Sequence, residues 1–245
     1  MFIKPLLATA IISVASLAGA QTKSSKQFLA DIRSPRGSGT WRILNGTVKH
    51  RRRGKSTISA MLRLAVLFTP KRMTAQSIID NRQGYLLTQP FKAGAEPAVV
   101  PLNEESTKNP LLGEFGIHPG DLTMSFIYWK LKKELRMDTI MMSDCRVFLL
   151  ESPDKKQLVK VWINVRYHFP LKCEWFKVPV NSKSEPYRSL EVASFCEIND
   201  IWVVNGIDLY GPGWRTKVEF SGKEAGLISK GIPKKLFKSM KKNGK

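Results

Sequence analysis

The chain has 245 residues and a formal net charge of +20 at pH 7, with 40 Lys and Arg against 20 Asp and Glu. This length suits one domain, and such a surface attracts anions: phospholipid headgroups, lipopolysaccharide, acidic proteins or nucleic acid. No stretch after the first twenty residues is long and apolar enough to be a second membrane segment, which excludes a multi-spanning helical protein.

The first twenty residues, MFIKPLLATAIISVASLAGA, predict a secretory signal peptide that is cut after Ala20. A retained anchor is the alternative, but the apolar run of about a dozen residues is short of the roughly 20 that span a bilayer. Because Gln21 rather than Cys follows the cut, the mature protein is expected to carry no lipid anchor. Residues 21–230 are predicted to form one domain, followed by a basic tail at 231–245.

The first half of this domain has the alternation of a strand with one buried face. After a short predicted helix at Ser25–Ile32, apolar residues occupy every second position of residues 57–69, including Leu62, Leu64 and Val66. Residues 92–120 interrupt the strands with four prolines. A helix is predicted through LTMSFIYW, with Leu122, Phe126 and Trp129 at helical spacing. This insertion is a candidate lid or plug; equally, it is a helix that closes one end of a sheet.

From Glu134 onward the pattern predicts strands separated by turns and no helices. In VKVWINVRYHF, Val161, Ile163 and Val165 fall on one face and cationic or polar residues on the other. About ten such strands would curl into one antiparallel sheet, which encloses more space than a filled eight-stranded barrel. Either a helix plugs this space or an apolar ligand occupies it.

The stretch HRRRGKST, residues 50–57, lies between two predicted strands. It lacks the first glycine of a phosphate-binding loop and has no aromatic residue for stacking on a base, which argues against nucleic acid. We interpret it as a charged hairpin turn that contacts cargo or an anionic membrane surface through four side chains: Arg51, Arg52, Arg53 and Lys55.

Neither an enzyme nor a metal site is indicated. The three His residues have no catalytic motif around them, and neither CxxC nor HxxxH occurs. Cys145, Cys173 and Cys196 are expected to be small buried apolar residues, with a disulfide between two of them left open. The tail holds six lysines between residues 234 and 245 and no acid. We expect it to fray, with a polybasic membrane-binding strip as the alternative.

Five stretches resemble, in order, the outer-membrane lipoprotein-sorting proteins of the LolA-like superfamily; they read HPGDLTMSFIYW, CRVFLLESP, VKVWINVRYHFPLKCEWF, RSLEVASF and WVVNGIDLYGPGWRTKVEF. The chain is closer to the uncharacterised branch than to the well-known carrier, and no functional residue of the family is transferred to it. The resemblance implies a half-open antiparallel β-barrel with helices in its mouth. It also implies a periplasmic protein that carries the acyl chains of lipoproteins or another lipid.

Two functions are therefore compared. The first is a carrier, expected to be a monomer without cofactor, that buries acyl chains reversibly. The residues predicted to line its cavity are Leu62, Leu64, Val66, Phe126, Trp129, Val161, Ile163 and Val165. The second is an exported cationic adaptor domain that binds envelope polyanions and has a filled core without a lipid cavity.

Overall fold

The computed structural model describes residues 23–33, 39–108, 110–181 and 184–240. The predicted signal peptide and its cleavage site lie outside the described residues, as do residues 241–245. The described part of the chain is mainly β, and its twelve strands form one antiparallel sheet. The predicted curled sheet is confirmed, with twelve strands where about ten were expected.

Successive strands of the sheet are joined by hairpins, except where the helical insertion separates β5 from β6. The strands are β1 (Thr40–Arg52), β2 (Ile58–Phe68), β3 (Arg72–Ile79), β4 (Gln83–Pro90), β5 (Ala98–Pro101), β6 (Lys130–Ile140), β7 (Ser143–Glu151), β8 (Gln157–Asn164), β9 (Pro170–Lys177), β10 (Arg188–Ile198), β11 (Ile201–Gly211) and β12 (Trp214–Leu227). Their spatial order is β5-β4-β3-β2-β1-β12-β11-β10-β9-β8-β7-β6. The first and last strands pair in the middle of the sheet, and its edges, β5 and β6, do not pair in the described chain, so the barrel is half-open.

The described chain also has several short helices, most of which lie in the insertion between β5 and β6. They are α1 (Ser25–Arg33), α2 (Glu104–Lys108), α3 (Leu111–Glu114), α4 (Pro119–Thr123) and two 3₁₀ turns, Ser125–Tyr128 and Ile228–Lys230. The continuous helix predicted through residues 122–129 is wrong. Met124 adopts the left-handed conformation, with φ of 53°, and separates α4 from the first 3₁₀ turn. We call residues 111–129 the plug.

The alternation predicted for β2 is confirmed, because Leu62, Leu64 and Val66 are all buried. They join residues from both halves of the sheet in one core beneath the plug. Curling lets the inward faces of distant strands share this core, and burial of their apolar surface is the main force that holds the barrel together.

The single strand predicted through Phe169 is wrong. Strand β8 ends at Asn164, whose side-chain oxygen accepts the backbone N–H groups of Arg166 and Tyr167 at 2.8 and 2.7 Å. These two bonds turn the chain, as asparagine side chains commonly do. Val165 therefore lies in an exposed turn rather than on the buried face of β8.

The prediction that the tail frays is also wrong for the described residues 231–240. Leu236 is buried against Ile43 and Ala65 on the convex face. Arg63 donates to the Leu236 carbonyl at 2.8 Å, and Gln76 exchanges two 2.8 Å hydrogen bonds with the backbone of Lys238. The tail thus covers apolar surface that β1 and β2 carry on their outer side.

The three cysteines are free in the structure. Cys145 and Cys173 are buried as expected, whereas Cys196 is only partly buried. Burial raises the pKa of the Cys173 thiol well above its ordinary value. In the residues that the structure describes, no cluster of His, Cys, Asp and Glu could hold a metal ion, and no helix could cross a membrane.

Candidate ligand cavity

A cavity of about 570 Å³ lies inside the curl of the sheet, between β1–β3 on one side and β11–β12 on the other. Its volume falls within the range of small-molecule binding sites. Leu44, Leu64 and Val66 form one apolar wall, and Ile207 and Phe220 form the facing one. The alternation of these strands aims their apolar residues inward, so the walls follow from the period-two pattern.

The plug supplies the third wall of this cavity. Leu122, Met124 and Ile127 face the cavity, together with Tyr128. The Tyr128 ring stacks on Phe91 with 5.8 Å between ring centroids, and burial raises its pKa above the ordinary value. The plug therefore contributes a neutral phenol to the cavity wall.

A buried ion pair anchors the plug to the sheet. Both Asp121 carboxylate oxygens accept hydrogen bonds from the Arg188 guanidinium of β10, at 2.7 and 2.8 Å. The guanidinium also lies 4.0 Å from the centroid of the Trp175 ring. Burial opposes the charge of Arg188, but Asp121 outweighs it and holds the pKa of Arg188 above its ordinary value. The pair fixes α4 against the second half of the barrel.

Two further contacts hold the plug in place. The Phe126 ring meets Trp175 edge to face, with 5.2 Å between centroids. Arg33, at the end of α1, donates to the backbone carbonyls of Ile127 and Trp129 at 2.8 and 2.7 Å. Helix α1 and the plug therefore form one connected layer over the cavity.

The eight residues predicted to line the cavity fall into three groups: wall residues, packed core residues, and residues of the plug or a turn. Leu64 and Val66 lie on its wall. Leu62, Val161 and Ile163 are fully buried in packed core away from that wall. They share the inward face of the sheet with the wall residues, but neighbouring side chains cover them.

The remaining predicted lining residues belong to the plug or to a turn. Phe126 is buried on Trp175, and Trp129 is partly buried against the core. Neither forms part of the cavity wall, and Val165 is 38% exposed in the turn after β8. Of the three residues at helical spacing in the predicted helix, only Leu122 faces the cavity; the other contacts of the plug come from Thr123, Met124, Ile127 and Tyr128.

One cation in the cavity was missed by the sequence analysis. Arg42 extends from the concave face of β1, and its guanidinium carbon lies 4.5 Å from the centroid of the Phe68 ring. Burial lowers the pKa of Arg42 to about 10. The only sign of this cation in the sequence was a charged residue inside the apolar stretch TWRIL. Trp41 and Ile43 made the opposite face of the strand equally apolar, so the pattern did not show on which face Arg42 would be buried.

The mouth of the cavity lies at the end of the sheet where β1 begins. Tyr167 and Trp202 line it with ring centroids 6.2 Å apart, and their side chains are more than half exposed. Leu227, which pairs with Thr40, is another exposed lining residue. Residues deeper along the same strands, such as Leu44, are buried.

The basic turn lies at the other end of β1. Arg51, Arg52, Arg53 and Lys55 are exposed there, where β1 leads into β2. Arg51 lies nine positions after Arg42, which corresponds to about 30 Å along the strand. The structure therefore does not bring the predicted anion contacts to the mouth of the cavity.

The fold and the cavity together define a class of protein: a half-open antiparallel β-barrel whose short helices plug an apolar interior. Among solved structures, an outer membrane lipoprotein-sorting protein domain, so described, from Vibrio parahaemolyticus has a TM-score of 0.62 at 15% identity. The match covers 84% of this chain and 92% of that one.

Two other structures share this fold. A DUF1329 family protein from Desulfovibrio piger has a TM-score of 0.59 at 12% identity, over 80% of this chain and 90% of its own. A LolA superfamily protein from Nitrosomonas europaea has a TM-score of 0.52 at 16% identity, over 86% of this chain and 94% of its own. The predicted resemblance is confirmed at the level of the fold. No protein-family model and no curated protein matches the sequence.

Proposed function

We propose that this protein is an exported carrier that binds the acyl chains of lipoproteins or other lipids in its cavity and transports them across the periplasm to the outer membrane. The observation that carries the proposal is the apolar cavity of about 570 Å³ beneath the plug. Each CH₂ group moved from water into such surroundings contributes about 0.8 kcal/mol. Reversible burial of a hydrocarbon chain needs neither a cofactor nor a chemical step.

The fold supports this proposal, because solved structures with the same architecture include a domain described as sorting outer membrane lipoproteins. Export supports it as well, since the first twenty residues have the pattern of a signal peptide. The adaptor hypothesis requires a filled core, whereas the described residues enclose a ligand-sized space. The carrier is therefore the better supported of the two functions.

The test is to purify the protein from a bacterial envelope fraction, extract it with organic solvent, and identify co-purified lipid by mass spectrometry. In parallel, the delipidated protein is titrated with a fluorescent fatty acid. We expect acyl lipid in the extract and saturable binding in the titration. Repeated extracts without lipid, together with no fluorescence change, would reject the carrier function.

A further inference from the structure

We propose that Arg42 binds the anionic head of the ligand, so that the cavity selects acidic amphiphiles, in which a carboxylate or phosphate is attached to an acyl or alkyl chain. This inference rests on the proposed carrier function and specifies the chemistry of its ligand. Two features of the structure support it: the place of Arg42 in the rows of the sheet, and the lack of a carboxylate beside it among the described residues.

Strand register places Arg42 between the mouth and the apolar floor. Thr40 pairs with Phe68 and Leu227 in the row at the mouth. Arg42 belongs to the second row, and Leu44, paired with Leu64, to the third. Rows on one face of a sheet are two residues apart, or about 7 Å. The cation therefore lies one row inside the mouth, with hydrocarbon walls beyond it.

The side chain of Arg42 points toward the mouth. Its guanidinium lies over Phe68, a residue of the first row, rather than over the deeper Leu64. Long cationic side chains commonly extend along apolar surface toward water in this way. An amphiphile with its head at the guanidinium would lay its tail over the third row, which holds Leu44 and Leu64.

Arg42 has no carboxylate partner among the described residues. Two carboxylates line the same cavity: Asp31 forms an ion pair with Lys23, and Asp200 lies in the turn before β11. Neither is within ion-pair distance of Arg42, and burial is the sole cause of its lowered pKa. Removing a cation from water without a counter-charge is costly. A ligand anion would relieve this cost, and the planar guanidinium suits carboxylate and phosphate alike.

The test compares three competitors of equal chain length, dodecanoate, dodecyl phosphate and dodecanol, each displacing a neutral fluorescent probe from delipidated protein. The measurement is made in 1 M salt, where the screening length of about 3 Å suppresses the general attraction of anions to a basic protein. We expect the anions to bind at least about tenfold more tightly than dodecanol, the range of a hydrogen-bonded charge pair. The anion with the larger gain identifies the preferred head group.

Arg42→Gln is expected to abolish this preference while leaving the affinity for dodecanol unchanged. Lys49→Gln is the matched control, because Lys49 is an exposed cation on the convex side of the same strand. Arg42→Lys keeps the charge without the planar fork and is expected to retain part of the preference. Should Arg42→Gln fail to fold, the comparison of competitors in the unsubstituted protein and in Arg42→Lys still decides the matter.

Equal affinity for all three competitors would overturn the role of Arg42 and leave the carrier function intact. A preference for anions that survives in Arg42→Gln would overturn it too. Failure of every competitor to bind, dodecanol included, would reject the carrier function itself and this inference with it.

Discussion

Asp121 and Arg188 are joined by two hydrogen bonds of 2.7 and 2.8 Å although 67 positions separate them in the chain. Both side chains are buried, at 3% and 8% exposure. The pair connects α4 of the plug to β10 of the barrel. The cavity beneath the plug therefore depends on a contact between residues remote in sequence.

Breaking this pair is expected to destabilise the protein strongly. Asp121→Ala leaves the Arg188 guanidinium buried without its partner, which should lower the free energy of unfolding by about 3–5 kcal/mol. Denaturant titration measures the loss. The double variant Asp121→Leu/Arg188→Met is the control, and it should be more stable than Asp121→Ala because no uncompensated charge remains. A double variant as unstable as the single one would contradict this role of the pair.

Filling the cavity should weaken ligand binding without weakening the fold. Val66→Phe extends a wall residue into empty space and is expected to exclude about two CH₂ groups of an acyl chain. The affinity for a fluorescent fatty acid would then fall about tenfold. Ile163→Val is the contrasting change, since Ile163 is fully buried in packed core. It should lower stability by about 0.5–1.5 kcal/mol and leave fatty-acid affinity unchanged.

The buried His50 should make stability depend on pH. Arg52 donates to its Nε2 at 3.1 Å, so the proton of the neutral ring lies on Nδ1, which donates to the Thr216 hydroxyl at 2.7 Å. Burial, followed by the charge of Arg52, lowers the pKa of His50. The unfolded chain therefore takes up a proton near pH 6.5, before the folded protein does.

The neutral His50 therefore makes its full contribution to the free energy of unfolding above about pH 6.5. This contribution is lost as the pH falls from there toward the lowered pKa that His50 has in the folded protein. The slope is at most about 1.4 kcal/mol per pH unit for one proton. Thermal unfolding between pH 7 and pH 5 should show a smaller slope in His50→Asn. An unchanged slope in that variant would assign the pH dependence to other groups.

The docked tail should contribute to stability. Leu236→Ala removes a buried side chain from the cluster with Ile43 and Ala65 and is expected to cost about 2 kcal/mol. Ile232→Ala is the matched control in the same tail, because Ile232 is 45% exposed, and it should change stability by less than about 0.5 kcal/mol. Equal, negligible effects of both substitutions would mean that the tail does not pack in solution.

The basic turn is expected to bind anionic membrane. Replacing Arg51, Arg52, Arg53 and Lys55 by Gln should weaken binding to vesicles that contain phosphatidylglycerol, by about 1 kcal/mol for each charge near the surface. Sedimentation with vesicles at low and high salt measures this effect, which should vanish at high salt.

A control with the same change of net charge replaces four exposed lysines in other turns and strand ends. These are Lys71, Lys155, Lys156 and Lys177. An equal loss of vesicle binding in the control would show that overall charge, rather than the turn, attracts the membrane. Acyl binding should be unaffected in both variants, because the turn lies about 30 Å along β1 from Arg42.

Local pattern in the sequence was sufficient for the strands. A side chain in a strand points to the same face as its neighbours two positions away, so the alternation around Leu64 and Val66 was enough to identify the buried face of β2. The same rule failed after Asn164, where side-chain hydrogen bonds turn the chain although the apolar alternation continues. Helical spacing likewise failed to predict the break at Met124, because the spacing of apolar residues does not reveal a left-handed backbone conformation.

What the sequence by itself determined is a basic, mainly β chain that begins with the pattern of a signal peptide and has apolar faces to bury. Only the tertiary structure decided which inward residues meet empty space and which meet other side chains. Leu62 and Leu64 have the same pattern, but only Leu64 lies on the cavity wall. The physical reason is that the cavity is bounded by distant partners: the β1–β12 pairing, and the plug that Asp121 and Arg188 hold in place.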